Sequence, residues 1–252
     1  MKAAVVYKTN DIDVAREVLN VLNKLGIEPD MYDSPSSSLE KYDFIVSIGG
    51  DGTILALLQF LKVCPPIFGV NTGKVGLLTH SNPQNFEEKL KKAIRSFEIE
   101  QFPRISCISS ENEFLALNEV VLVNEKPAKL MTVKVKIDGI LADEIRCDGM
   151  IVATQIGSTG YAFSSGGPII EPYLDSLIVV PIAPFRFGWK PIVIRSDRMV
   201  ELESSSMGIV VVDGQSYIKT RKVRIQKSSY PAVFFKKENR LDDLFEKIKE
   251  IK

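Results

Sequence analysis

Gly49-Gly50-Asp51-Gly52-Thr53 stands between an apolar run, Phe44–Ile48, and a second apolar stretch, Ile54–Leu61. The first run reads as a strand and the second as a buried helix. Glycines at such a junction let backbone N–H groups approach a phosphate, and the helix start adds favourable partial charge. An aspartate in the same turn would repel a phosphate. That conflict suggests a role for Asp51: a carboxylate ionised at neutral pH can accept the proton of a hydroxyl while a phosphoryl group is held nearby. Gly49, Gly50, Gly52 and Thr53 would then form the phosphate loop. The competing use is a tight turn whose Asp51 side chain caps the following helix.

Gly157–Gly167, just after the strand-like Met150–Gln155, places four glycines, three serines and one threonine around Tyr161. Such a segment offers many backbone and hydroxyl donors and one aromatic face, which suits a nucleotide; the plainer reading is a flexible loop. Alternation over Phe114–Val123 puts Leu115, Leu117, Glu119, Val121 and Val123 on one face of a single strand. Glu119 then lies on an apolar face, where a carboxylate needs a partner: a ligand hydroxyl or a cation such as Arg146. An edge-strand glutamate near solvent is the alternative. Arg146 and Asp148, two apart, share a strand face and read as an ion pair. Asp213-Gly214-Gln215 reads as a turn, and the basic run Lys219–Lys227 as a solvated face.

Charge and composition exclude other chemistries. Lys and Arg number 32, as do Asp and Glu, so the formal net charge is zero. That argues against a general binder of nucleic acid or membrane surface. The single histidine, His80, excludes sites that need two imidazoles. It has no visible metal partners, so it reads as a surface or structural residue, and a carboxylate is the expected base. Cys64, Cys107 and Cys147 are far apart with no C-x-x-C, which points to buried free thiols in a reducing compartment. No stretch approaches the ~20 apolar residues of a membrane span. These features fit a soluble, cytoplasmic protein.

The elements that must position these residues fall into two patterns. Ala3–Tyr7, Phe44–Ile48 and Ile67–Val70 are strands. Val14, Val18, Val21, Leu22 and Leu25 follow helical spacing with Gly26 as the C′ residue, and Asn85–Phe97 is an amphipathic helix. Strand and helix in alternation predict an open, mostly parallel α/β sheet over residues 1–98. Residues 99–236 are mostly strands, with turn signals at Asp138-Gly139, Asp148-Gly149 and Asp213-Gly214, and predict a β-rich, sandwich-like domain. Leu241, Leu244, Phe245, Ile248 and Ile251 mark a last helix over 237–252 that packs back on the first domain.

Taken together, GGDGT, Asn118-Glu119 and DGMIVATQIGSTGYAFSSGGPI (148–169) resemble the NAD kinase family over nearly the whole chain and in motif order. Asn71-Thr72-Gly73 with Gly76-Leu77-Leu78, and Val212-Asp213-Gly214-Gln215, resemble two further family segments. The resemblance implies transfer of a phosphoryl group from ATP or polyphosphate to the adenosine-ribose 2′-hydroxyl of NAD, giving NADP. It implies Asp51 as base with Gly52 beside it, Asn118 and Glu119 on ribose hydroxyls, and Thr159, Gly160, Tyr161, Ala162, Phe163 and Ser164 lining the adenine and ribose pocket. Arg146 and Asp148 would lie near the nicotinamide half, supplied to a neighbouring subunit of a homodimer or homotetramer. Lys129, Ala183 and Gln215 complete the NAD-binding set. Mg²⁺ would accompany the phosphates, because no dedicated metal cage is visible.

Gly160 replaces the family's usual alanine, Ile156 stands where a small polar residue is common, and Pro184–Trp189 with Lys190-Pro191 replaces a Ser/Asn-rich segment and Arg-Pro. These departures resemble a divergent, archaeal-like branch. Two rival functions share part of the pattern. A diacylglycerol- or sphingosine-type lipid kinase shares GGDGT but needs an acyl pocket, and a non-catalytic dinucleotide-sensing module would tolerate replacement of Asp51.

Overall fold

The apolar strands and amphipathic helices of the first hundred residues build a parallel sheet. In the computed structural model, which describes every residue except 74, 75, 111, 127, 186, 187, 239, 251 and 252 and the side chains of 247 and 250, the chain begins β1 (Lys2–Tyr7), α1 (Ile12–Lys24), β2 (Glu28–Tyr32), β3 (Phe44–Ile48), α2 (Asp51–Leu58), β4 (Ile67–Val70), α3 (Phe86–Ser96) and β5 (Ile99–Phe102). Every residue of β3 and β4 is buried, as expected for parallel strands covered on both faces. The inner face of α1 carries Ala15, Val18, Val21 and Leu22 into the core. The helix stops because Gly26 adopts φ +72°. The N–H groups of Gly26 and Ile27 then return to the carbonyls of Asn23 and Leu22, a Schellman closure.

The second run of elements is β6 (Ile105–Ser109), β7 (Asn112–Ala116), β8 (Glu119–Asn124), β9 (Met131–Ile137), β10 (Ile140–Cys147), β11 (Gly149–Thr154), α4 (Tyr161–Ser164), β12 (Ser176–Ile182), β13 (Ile192–Arg195), β14 (Val200–Val212) and β15 (Ser216–Lys227). Among the described residues these ten strands form one sheet whose pairings are antiparallel. The long strand β14 changes partner along its length: Val200–Ser204 pairs with β9 and Gly208–Val212 with β8. One face thereby wraps a core that includes Val120, Leu122, Val133, Met150, Val179, Leu202 and Val210. Cys107 and Cys147 lie in it as free thiols, and burial pushes them up to about 12 and about 11.

The chain then returns to the first sheet. β16 (Ala232–Phe235) lies between β4 and β5, giving the order β2-β1-β3-β4-β16-β5, and α5 (Arg240–Glu250) follows. Contacts divide the molecule into Met1–Gln101 with Pro231–Lys252, and Phe102–Tyr230. Residues 231–236, expected in the β-rich part, therefore belong with the first sheet, and the expected return of the final helix is present. Among the described residues no helix is long and apolar enough to cross a membrane. Ile251, and residues 186 and 187 of the Pro184–Trp189 segment, lie outside the described residues.

Two local readings change. Asp138-Gly139 and Asp213-Gly214 are hairpin turns with positive φ at both residues. Asp148-Gly149 is not a turn: Asp148 donates its N–H to Ile182 and accepts from Asn124, so it continues the ladder. Phe114–Val123 is two strands rather than one, broken at Leu117-Asn118. From Glu119 onward the expected face holds, since Val121 and Val123 pack in one cluster with Ala153, Ala162 and Val180.

His80 is structural. Gly69 donates its N–H to Nδ1 at 2.9 Å, so Nε2 carries the proton and donates to the Phe235 carbonyl at 2.8 Å. Its ring stacks on Phe68. Burial pushes the imidazole down to about 3. An unfolded histidine takes its proton near pH 6.5, so this residue makes stability fall as pH drops from about 6.5 towards 3, by up to about 1.4 kcal/mol per pH unit. His80→Phe keeps the stacking but strands two buried backbone groups. It is expected to destabilise the protein by about 2–4 kcal/mol and to flatten that acid slope. Urea unfolding at neutral and mildly acid pH checks both, and an unchanged slope refutes the assignment.

Candidate functional site

The strand order places a switch point between β1 and β3, where open α/β sheets bind ligands beyond their carboxyl ends. GGDGT lies there. Gly49 has φ +144°, and a Cβ on it would stand 2.2 Å from Thr53 Oγ1, so the threonine folds tightly beneath the turn. Of the expected phosphate loop, the Gly49 N–H is engaged by the Val70 carbonyl at 2.9 Å. Gly50 is the N-cap of α2, and Asp51 and Gly52 begin it, where a helix leaves its first N–H groups without intrahelical partners.

Asp51 does not cap its own helix. Its Oδ2 accepts the Leu77 N–H at 2.9 Å and its Oδ1 the Leu78 N–H at 3.0 Å. The C-terminal segment holds the other side of that loop. Arg240 Nη1 donates to the Leu77 carbonyl at 2.7 Å, and Lys237 Nζ to the Thr79 carbonyl at 2.6 Å. Glu100 pairs with Arg240 at 2.5 Å and Asp243 with Lys237 at 2.7 Å. Burial lowers the Lys237 ammonium below the usual lysine range, against the opposing pull of Asp243 and Asp51. A cavity of about 530 Å³ opens beside the loop, lined by Asn71, Gly76, Ser81, Lys89, Lys237 and Asp243 among others.

The second unit gathers a different set. At the break between β7 and β8, Asp213 accepts the N–H groups of Leu117 at 2.7 Å, Asn118 at 2.8 Å and Glu119 at 2.9 Å. Its own N–H goes to the Glu119 carbonyl, and Thr154 takes the carbonyls of Leu117 and Asn118 through its hydroxyl and N–H. The backbone of 117–119 is thereby saturated. Asn118 Oδ1, Glu119 Oε2 and Gln155 Oε1 are buried and have no hydrogen-bond partner among the described residues. Buried acceptors normally have donors, so they suit ligand hydroxyl or amino groups. Burial, aided by the Asp213 charge, pushes Glu119 up to about 8. Burial also raises Asp213 to about 6, against its three N–H donors and Arg104.

The serine- and glycine-rich segment closes on this pair. A Cβ at Gly157 would stand 2.2 Å from the Asn118 carbonyl oxygen, and one at Gly160 3.0 Å from Glu119 Oε2. The departure from alanine at 160 thus leaves room for the Glu119 carboxyl. Ser158 anchors Ile170 through its hydroxyl. Tyr161 and Ser164 are exposed and Thr159 and Phe163 half-buried. Ala162 turns inward, wholly buried in the cluster with Val121 and Val180. Lys129, Ala183 and Gln215 are exposed. Arg146 sits over the Phe185 ring at 4.9 Å rather than on Glu119, and among the described residues no ion pair joins it to exposed Asp148. Thr154, Gln155 and Arg240 carry no role in the sequence reading, and Asp213 appears there only as a turn residue within a family-like segment. The signal for Asp213 was an aspartate at a turn where asparagine would serve equally well.

The glycine turn and N–H-held carboxylate of the first unit, and the unmatched acceptors under a serine-rich turn in the second, are each of a kind that suits a nucleotide-dependent phosphotransferase. Comparison with known proteins narrows the class. The chain belongs to the ATP-NAD kinase family: residues 8–97 match its N-terminal domain and residues 117–237 its C-terminal domain. It is 55% identical to the NAD kinase of Archaeoglobus fulgidus over 252 residues, covering 100% of both chains. It is 36% identical to that of Methanoregula boonei over 238 residues, 88% of each. A crystal structure of the Archaeoglobus fulgidus enzyme in complex with ATP matches with a TM-score of 0.95 at 54% identity, covering 100% of both chains. Yeast NADH kinase complexed with NADH shares the fold, with a TM-score of 0.86 at 18% identity over 99% of this chain and 87% of that one. The expected family and fold class therefore stand, and neither the lipid kinase nor the sensing module is favoured.

Proposed function

We propose that the chain transfers the terminal phosphoryl group of ATP to the adenosine-ribose 2′-hydroxyl of NAD, giving NADP. The observation that carries the reading is the Asp51 carboxylate, fixed by two backbone N–H groups beside the glycine start of α2. Held there, it accepts the hydroxyl proton as the oxygen attacks the terminal phosphorus, the bridging P–O bond breaks and ADP leaves. The open N–H groups at Gly50–Gly52 and the cations Lys89 and Lys237 of the neighbouring cavity face the donor's phosphates. Asn118 and Glu119 bind ribose hydroxyls through the acceptors they leave unmatched, and Tyr161 offers the aromatic face for adenine. Arg146 and Asp148, both exposed, serve the nicotinamide half in an assembly of two or four copies.

Mg²⁺ would accompany the donor, held chiefly by its phosphates. Among the described residues no three His, Cys, Asp or Glu side chains converge, and a phosphate-bound Mg²⁺ needs only one or two carboxylates. When bound, the ion would neutralise charge on the transferring phosphoryl group. The test is incubation of the folded protein with NAD, Mg²⁺ and either ATP or polyphosphate. NADP is expected with ATP, and its absence with both donors refutes the reading. Single-turnover mixing separates catalysis from mere NAD binding.

A further inference from the structure

We propose that Asp213 is a positioning residue for NAD: its carboxylate fixes the backbone of Leu117–Glu119, so that Asn118 and Glu119 present their free acceptors to the ligand, and its charge bears on the Glu119 carboxyl beside it. The proposal rests on the reading that Asn118 and Glu119 bind ribose hydroxyls.

Turn chemistry alone does not require this residue. Asp213 and Gly214 adopt φ +48° and +68°, and Gln215 donates to the Val212 carbonyl at 2.9 Å. That is a two-residue hairpin of the type asparagine-glycine forms at least as readily. Yet Asp213 is 4% exposed, and burying a carboxylate is costly unless it is well hydrogen-bonded. Three convergent N–H donors within 2.9 Å supply that compensation. They come from three successive residues outside the hairpin, in the gap where the strand face changes from Leu115 to Glu119. An asparagine keeps one acceptor oxygen and turns an amide N–H₂ towards the remaining donors.

The charge acts on Glu119 as well. Among the described residues, few charged groups face this pair. Glu119 faces Asp213, and Asp213 also feels Arg104. The Gly157–Gly160 turn and the end of β11, Thr154-Gln155, bring no charged side chain. Removing the Asp213 charge therefore lowers the pH at which Glu119 ionises, with no other charge in the site altered.

The experiment is calorimetric titration of the full chain with NAD alone, without donor or metal, from about pH 5.5 to about pH 9. Above the limb near pH 6 that Asp213 itself gives, wild type is expected to show one further ionisation limb in affinity near pH 8, that of Glu119, and Glu119→Gln to lose it. Asp213→Asn is expected to bind NAD roughly ten- to a hundredfold more weakly and to move the Glu119 limb to lower pH. Asp213→Gly, which keeps a favoured hairpin, is expected to do the same. Weaker binding with an unmoved limb is what a purely structural role gives, and it overturns the proposal. So does failure of both variants to fold, which would make the carboxylate a folding requirement. The underlying reading fails separately: Asn118→Ala and Glu119→Gln would then leave NAD affinity unchanged. If those two weaken binding and Asp213→Asn does not, only the positioning role falls.

Discussion

Asp51→Asn is expected to lower NADP formation by about 10²–10⁴-fold while NAD affinity stays within about twofold of wild type. The substitution keeps the shape of the side chain and removes the proton acceptor. A residue acting only on the reacting hydroxyl is missed in the transition state, not in ground-state binding. The structure adds a second consequence. Both carboxylate oxygens hold N–H groups, those of Leu77 and Leu78. An amide matches one of them and opposes the other, so the loop at 76–79 should loosen. Arg240 and Lys237 grip the same loop from its carbonyl side, which limits that loosening. Initial rates with ATP and Mg²⁺, set beside calorimetric NAD affinity, separate the two effects. A wild-type rate would reduce Asp51 to a loop anchor.

Gly157→Ala should do comparable damage by another route. The added Cβ would meet the oxygen, carbonyl carbon and Cα of Asn118 at 2.2, 2.6 and 2.8 Å. All three are backbone atoms, and no side-chain rotation relieves the contact. That backbone is itself fixed by Asp213 and Thr154. Either the turn or the Asn118-Glu119 strand start must move, at a cost of about 3 kcal/mol, or roughly 6–12 °C in Tm for a chain of this size. NAD affinity should fall with it, because Asn118 is the residue displaced. Gly166→Ala is the control. It has positive φ but nothing within 4 Å of the added atom, so it tests backbone strain without the collision. Equal thermal shifts in the two variants would show that the close approach at Gly157 does not matter.

The elements carrying chemistry were legible where a local period or a turn residue determines them. Phe44–Ile48, the helix after GGDGT, Gly26 as a helix stop and the Asp138-Gly139 hairpin all follow from neighbouring residues. What was not legible depends on partners far along the chain. Phe114–Val123 alternates well enough for one strand, yet it breaks because Asp213, ninety-odd residues on, captures its N–H groups. Asp148-Gly149 has turn chemistry, but ladder bonds to Asn124 and Ile182 keep it extended. Ala232–Phe235 has the composition of any buried strand, and nothing in it says which of two sheets it joins. The same limit applies to Asp51. Its motif marks a site, while the N–H groups that hold it come from a loop twenty-six residues later.

The place of β16 has a consequence for synthesis. β4 and β5 leave the ribosome early, but the strand between them is not made until residues 232–235 are added. At roughly 5–20 residues per second the wait is on the order of ten seconds. Throughout it, the facing edges of β4, which is wholly apolar, and of the more polar β5 lie open to stray pairing. Arg240 and Lys237 are translated later still, so a nascent chain carries the GGDGT turn well before it can grip the loop that holds Asp51. A messenger cut short near its 3′ end would yield a protein with every recognisable motif and an unfinished first sheet.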